Sequence, residues 1–173
     1  MKKICAMLFM LLSASASFAQ GGDDPVVRWK SIVGVIATQQ DTNPVSNNIN
    51  SGTFAWSTAG GRAHVNLATG AAAFHVEGLV INGTQFSGTP GPVTSVTGTL
   101  VCNAGIPGQE FTVDSPPVDL SPLGNARFSG SLSDGPISSC GNPLFLIRIF
   151  NIPPARGRWI ATGAERSFGD GDN

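Results

Sequence analysis

The chain holds two histidines, and both fall in one short stretch that also carries Arg62 and Glu77. Residues 62–68 and 71–81 flank Thr69-Gly70 and read as a β-hairpin. Ala63, Val65 and Leu67 alternate with Arg62, His64 and Asn66, and Ala72, Phe74 and Val76 alternate with Ala73, His75 and Glu77. Each strand is therefore apolar on one face and polar on the other. A two-residue turn at Thr69-Gly70 sets His64 opposite His75 and Arg62 opposite Glu77 on the polar face. Directly opposed Cβ atoms lie about 5 Å apart, close enough for two imidazoles to share a zinc or copper ion, with Glu77 as a third ligand. The simpler expectation from the same register is an Arg62–Glu77 ion pair beside two solvated histidines, with no metal and no cofactor. A turn of another length moves the register and removes the opposition of the two rings.

The cysteines are the second reactive set. Of Cys5, Cys102 and Cys140, the first lies in a leader-like start. Lys2 and Lys3 precede an apolar run over 4–12, and small residues follow to Ala19. That is the pattern of a secretory signal peptide, with an apolar run too short to span a bilayer. Export to a periplasmic or extracellular compartment is expected, with no integral membrane segment after cleavage. In that setting Cys102 and Cys140 are expected to form a disulfide.

Charge narrows the partners. The full chain has 10 Lys+Arg against 11 Asp+Glu, for a net charge of −1. Loss of Lys2 and Lys3 with the leader makes it 8 against 11, or −3. The basic residues look scattered apart from Arg156 and Arg158, which argues against nucleic acid as a partner. No Gly-x-Ser-x-Gly, His-Glu-x-x-His or Gly-rich phosphate loop occurs. A small hydrolase built from His75, Glu77 and a serine is a poor fit, because residues two apart on a strand do not orient one another as a triad does. A non-enzymatic module with a binding, adhesion or envelope-associated structural role is the expectation, its partner a protein or carbohydrate surface. Asn82-Gly83-Thr84 matches the N-glycosylation pattern and equally reads as a tight turn.

The elements that position these residues are strands. With 22 Gly and 12 Pro spread along the chain, no uninterrupted helix-length segment remains after residue 20. Residues 26–37, 53–57, 62–68, 71–81, 93–102, 110–113, 126–132, 144–150 and 158–164 read as strands or strand pieces, nine segments that make about eight strands. Residues 144–150 are apolar on both faces except Arg148, as in a central strand. Residues 38–51 and 87–92 read as loops able to carry recognition. The expected layout is a leader over 1–19, a loose segment over 20–25, one domain over 26–166 and a disordered tail over 167–173. The expected fold is an all-β antiparallel sandwich, immunoglobulin-like or related, with one disulfide. Trp29, Trp56 and Trp159 are read as core residues, with an exposed sugar-binding platform as the alternative for one of them.

Three pieces carry a family resemblance: the opening Trp29-Lys-Ser-Ile-Val-Gly-Val-Ile36, the polar Asn43-Pro44, and the hairpin from Val65 to Leu79. Over these the chain resembles the CHRD-type domains of secreted bacterial proteins and of chordin. That resemblance implies an immunoglobulin-like sandwich without enzyme activity. The His-x-His segment that follows the hairpin in those domains is absent, and Ile81-Asn-Gly-Thr-Gln-Phe86 stands in its place. A metal role tied to that segment is therefore not implied here. The later half, with both cysteines, is similar to small exported bacterial proteins without an assigned activity.

Overall fold

The computed structural model describes residues 26–37, 43–45, 49–153 and 155–169. The leader, the loose segment and the end of the tail lie outside these residues. Among the described residues there is no helix, and so none long and apolar enough to cross a membrane.

Eleven strands form among the described residues: β1 (Val26–Gly34), β2 (Ala55–Ser57), β3 (Gly60–Asn66), β4 (Ala71–Glu77), β5 (Val80–Asn82), β6 (Ser95–Cys102), β7 (Phe111–Asp114), β8 (Val118–Asp119), β9 (Ala126–Ser131), β10 (Leu144–Ile149) and β11 (Trp159–Phe168). Eight of them make one antiparallel sheet in the order β7-β6-β10-β11-β1-β3-β4-β9, and β8 pairs with the same edge of β6 as β7. β2 and β5 form a separate ribbon in which Trp56 faces Ile81. The strands missing from the sequence expectation are pieces of two or three residues, too short to show a period.

The sheet curls so that its two halves face each other across one core. Phe74 on β4 and Phe145 on β10 are separated in the sheet by β11, β1 and β3, yet their ring centroids lie 5.5 Å apart. Trp29 packs on Phe145 at 5.6 Å and Phe74 on Phe128 at 5.8 Å, distances typical of aromatic pairs. The sheet's far ends also meet, because β8 lies against β9. The result is sandwich packing made by one rolled sheet. Gly98 on β6 makes the close approach possible: a Cβ there would sit 2.5 Å from Phe74 Cε1.

Burial follows the alternation read from sequence. Ala63, Val65, Ala72, Phe74 and Val76 point inward, while Arg62 and His64 are exposed. Nearly every residue of β6 and most of β10 are buried, which fits strands inside the sheet. Cys102 and Cys140 form the disulfide, tying the end of β6 to the segment that leads into β10. Trp29, Trp56 and Trp159 are 1%, 4% and 7% exposed, so none offers a platform to a sugar.

Three details differ from expectation. The first is the hairpin register. Asn66 Oδ1 accepts from the backbone N–H of Ala68 (2.9 Å) and Thr69 (3.1 Å), and the Asn66 carbonyl accepts from Gly70 N–H (2.8 Å). This side-chain cap draws Leu67 and Ala68 into the turn, so the loop spans 67–70 and the register moves by two residues. The second is Asn82-Gly83, which starts a coiled loop held by Thr84, Ser87 and Thr89 hydroxyls and does not close a hairpin. The third is β11, which runs past residue 166 because Ser167 and Phe168 pair with Arg28 and Val27.

Candidate functional site

The shift of register decides what the polar face presents. A move of two residues keeps every side chain on its own face but changes its partner. Arg62 stands opposite His75, His64 opposite Ala73, and Glu77 opposite Gly60. The expected Arg62–Glu77 pair is therefore not formed. His64 and His75 become diagonal neighbours, a relationship that sets residues about 7–8 Å apart in an antiparallel ladder. Among the described residues no group of three or more His, Cys, Asp or Glu is placed to hold a metal ion.

The neighbouring ladders bring in residues that sequence spacing did not connect. On one side of the hairpin, β1 sets Arg28 opposite His64. On the other side, β9 sets Arg127 opposite His75 and Ser129 opposite Ala73. Two rows thus cross the sheet: Arg62–His75–Arg127, and Arg28–His64–Ala73–Ser129. Strands lie about 4.8 Å apart, so the guanidinium-bearing ends of the first row are rooted about 10 Å apart. The small Ala73 and Ser129 leave a hollow of about 240 Å³ between the longer side chains Arg62, His64, His75 and Arg127. A second hollow beside it is lined by Arg28, Lys30, Arg62, His64 and Ser167. The Ser167 hydroxyl there is buried without a hydrogen-bond partner among the described residues.

The electrostatics of this face are mainly cationic, with Glu77 and Asp119 lining a further hollow beside His75 and Arg127. Four of the chain's ten Lys and Arg (Arg28, Lys30, Arg62, Arg127) and both of its histidines share it. The side chains of Arg62, His64, His75 and Arg127 make no hydrogen bond or ion pair with another described residue. Arg28 is anchored by Nε–H donation to the Gly169 carbonyl at 3.1 Å. Partial burial, reinforced by the charges of Arg28 and Arg62, holds the His64 imidazole below the usual histidine range. Glu77 sits two residues from His75 at the end of β4, on the margin of the patch.

Chemically, the planar donors of Arg62, His64, His75 and Arg127 face outward together, as suits anions. Guanidinium groups take carboxylates, sulfates and phosphates in bidentate fashion. The same charges oppose a divalent cation at the two imidazoles. Arg127 escaped the sequence reading because its β4 partner lies about fifty residues earlier. The one local signal for its outward direction is its place between Ala126 and Phe128, both buried.

Comparisons with protein-family models, with curated proteins and with solved structures return no match.

Proposed function

We propose that the protein is an exported, non-catalytic binding module that takes an acidic carbohydrate surface on the outer face of β1, β3, β4 and β9. The observation that carries this reading is the registered row Arg62–His75–Arg127, flanked by Arg28 and His64, in a chain whose net charge is negative. A rigid sheet presents these donors at fixed spacing, so little order is lost on binding. The disulfide supports an oxidising compartment, in keeping with export.

The test uses polygalacturonate as the acidic polymer and dextran as the neutral one. Calorimetric titration of the oxidised protein is expected to show binding to the first and none to the second. Equal binding to both polymers, or to neither, contradicts the reading.

A further inference from the structure

Another cavity lies away from the cationic face, between the β2–β5 ribbon and the end of β10. It measures about 280 Å³, and its walls include Phe54, Trp56, Ile81, Val93, Ile149 and Ile152. Trp56, Ile81, Val93 and Ile149 belong to the core, so the cleft leads from the surface into the interior. Protein interiors are close-packed, and an apolar gap forfeits contacts on every wall. Dry apolar cavities of about 150 Å³ accept benzene, so a gap near twice that size has room for about ten non-hydrogen atoms.

Arg158 is the one charged residue in the lining. Its Nη1 donates to the Ser51 carbonyl at 3.0 Å, which fixes the guanidinium, and Nε and Nη2 make no bond with another described residue. Its backbone is held as well: its N–H donates to the Ala155 carbonyl and its carbonyl accepts from Ile149 N–H. A positioned guanidinium with spare donors in a wall that is apolar but for Thr53 is complementary to a ligand with an apolar body and one anionic end.

We propose that this cleft binds a small amphipathic carboxylic acid, with the apolar body between Trp56, Ile149 and Ile152 and the carboxylate on Arg158. The site is independent of the cationic face and does not rest on the carbohydrate reading. Octanoate, 1-octanol and octylamine are matched probes for the test, read by calorimetry and by tryptophan fluorescence, since Trp56 lines the cleft. Octanoate is expected to bind saturably and more tightly than the other two. A charged hydrogen-bonded pair corresponds to about tenfold or more in affinity, so Arg158→Gln is expected to weaken octanoate by about that factor and leave 1-octanol unchanged. Ile152→Trp, a partly exposed position, fills the cleft and is expected to abolish both. Circular dichroism and melting curves check that each variant is folded. If Arg158→Gln fails to fold, the ranking of the three probes on the unaltered protein and the Ile152→Trp variant still decide. Equal affinity for the three probes, no saturable binding of octanoate, or unchanged octanoate binding in folded Arg158→Gln or Ile152→Trp overturns the proposal.

Discussion

Arg62 stands directly opposite His75 across the β3–β4 ladder, on the outer face of a sheet whose inner face is packed with aromatic rings. That pairing turns a candidate metal hairpin into part of a cationic row. It arises from the Asn66 cap at the turn, which moves the ladder by two residues without flipping either strand. The consequences can be measured separately.

Zinc should find no site at the hairpin. The imidazoles are diagonal, and Arg28, Arg62 and Arg127 surround them. The melting temperature is expected to stay the same when one equivalent of zinc or copper is added, in the wild type and in the His64→Ala/His75→Ala variant alike. A histidine-dependent rise in melting temperature counts against this electrostatic account.

Protonation of His64 should oppose folding in the absence of ligand. Its folded pKa lies below the unfolded value of about 6.5, through burial first and then the charges of Arg28 and Arg62. The unfolded chain therefore binds more protons in the window below pH 6.5. Stability from this group is complete above that pH and declines as pH falls toward the folded pKa. The loss of stability between pH 7 and pH 5 should be smaller in His64→Gln than in the wild type. Identical slopes in denaturant titrations contradict the assignment. A bound anion reverses the field at the imidazole, so affinity for an acidic polymer should rise over the same window.

Gly98 tests the curl. Adding a methyl there forces it against the Phe74 ring and, at 3.0 Å, against Phe145 Cζ. Overpacking of this kind costs about 1–3 kcal/mol, so Gly98→Ala should lower the melting temperature by several degrees. Gly60→Ala is the control, with nothing within 4 Å of the added Cβ and an ordinary backbone conformation. Equal melting temperatures for the two variants contradict the facing-halves packing.

The inward residues of the hairpin, the central position of β10 and the Cys102–Cys140 disulfide were all legible in the sequence, because alternation and cysteine arithmetic are local signals. The register was not. It depended on whether Asn66 ended a strand or capped a turn, and both readings keep the same alternation. The pairing of β4 with β9 was not legible either, since it spans a long stretch of sequence that includes β5 to β8. The basic residues looked scattered for that reason: Arg28, Arg62 and Arg127 are distant in the chain and become adjacent only through the ladders.

The disulfide closes a loop of sequence separation 38, joining β6 to the segment that precedes β10. On the chain-entropy argument, its loss in Cys102→Ser/Cys140→Ser should remove about 4 kcal/mol of stability. Urea titrations of the oxidised protein and the double variant measure this directly. A difference under about 1 kcal/mol indicates that the bridge constrains the unfolded chain far less than that argument requires.

The central claim is that the row Arg62–His75–Arg127 holds anions. Its most direct test is the salt dependence of polygalacturonate binding in the wild type and in Arg62→Ala/Arg127→Ala. These outward-facing side chains make no internal hydrogen bond or ion pair with described residues, so the double variant should melt within a few degrees of the wild type. The predicted result is wild-type affinity that falls steeply with added sodium chloride, and a variant that binds at least about tenfold more weakly with a shallower salt slope. A folded variant with unchanged affinity and slope would place the binding surface elsewhere and contradict the account.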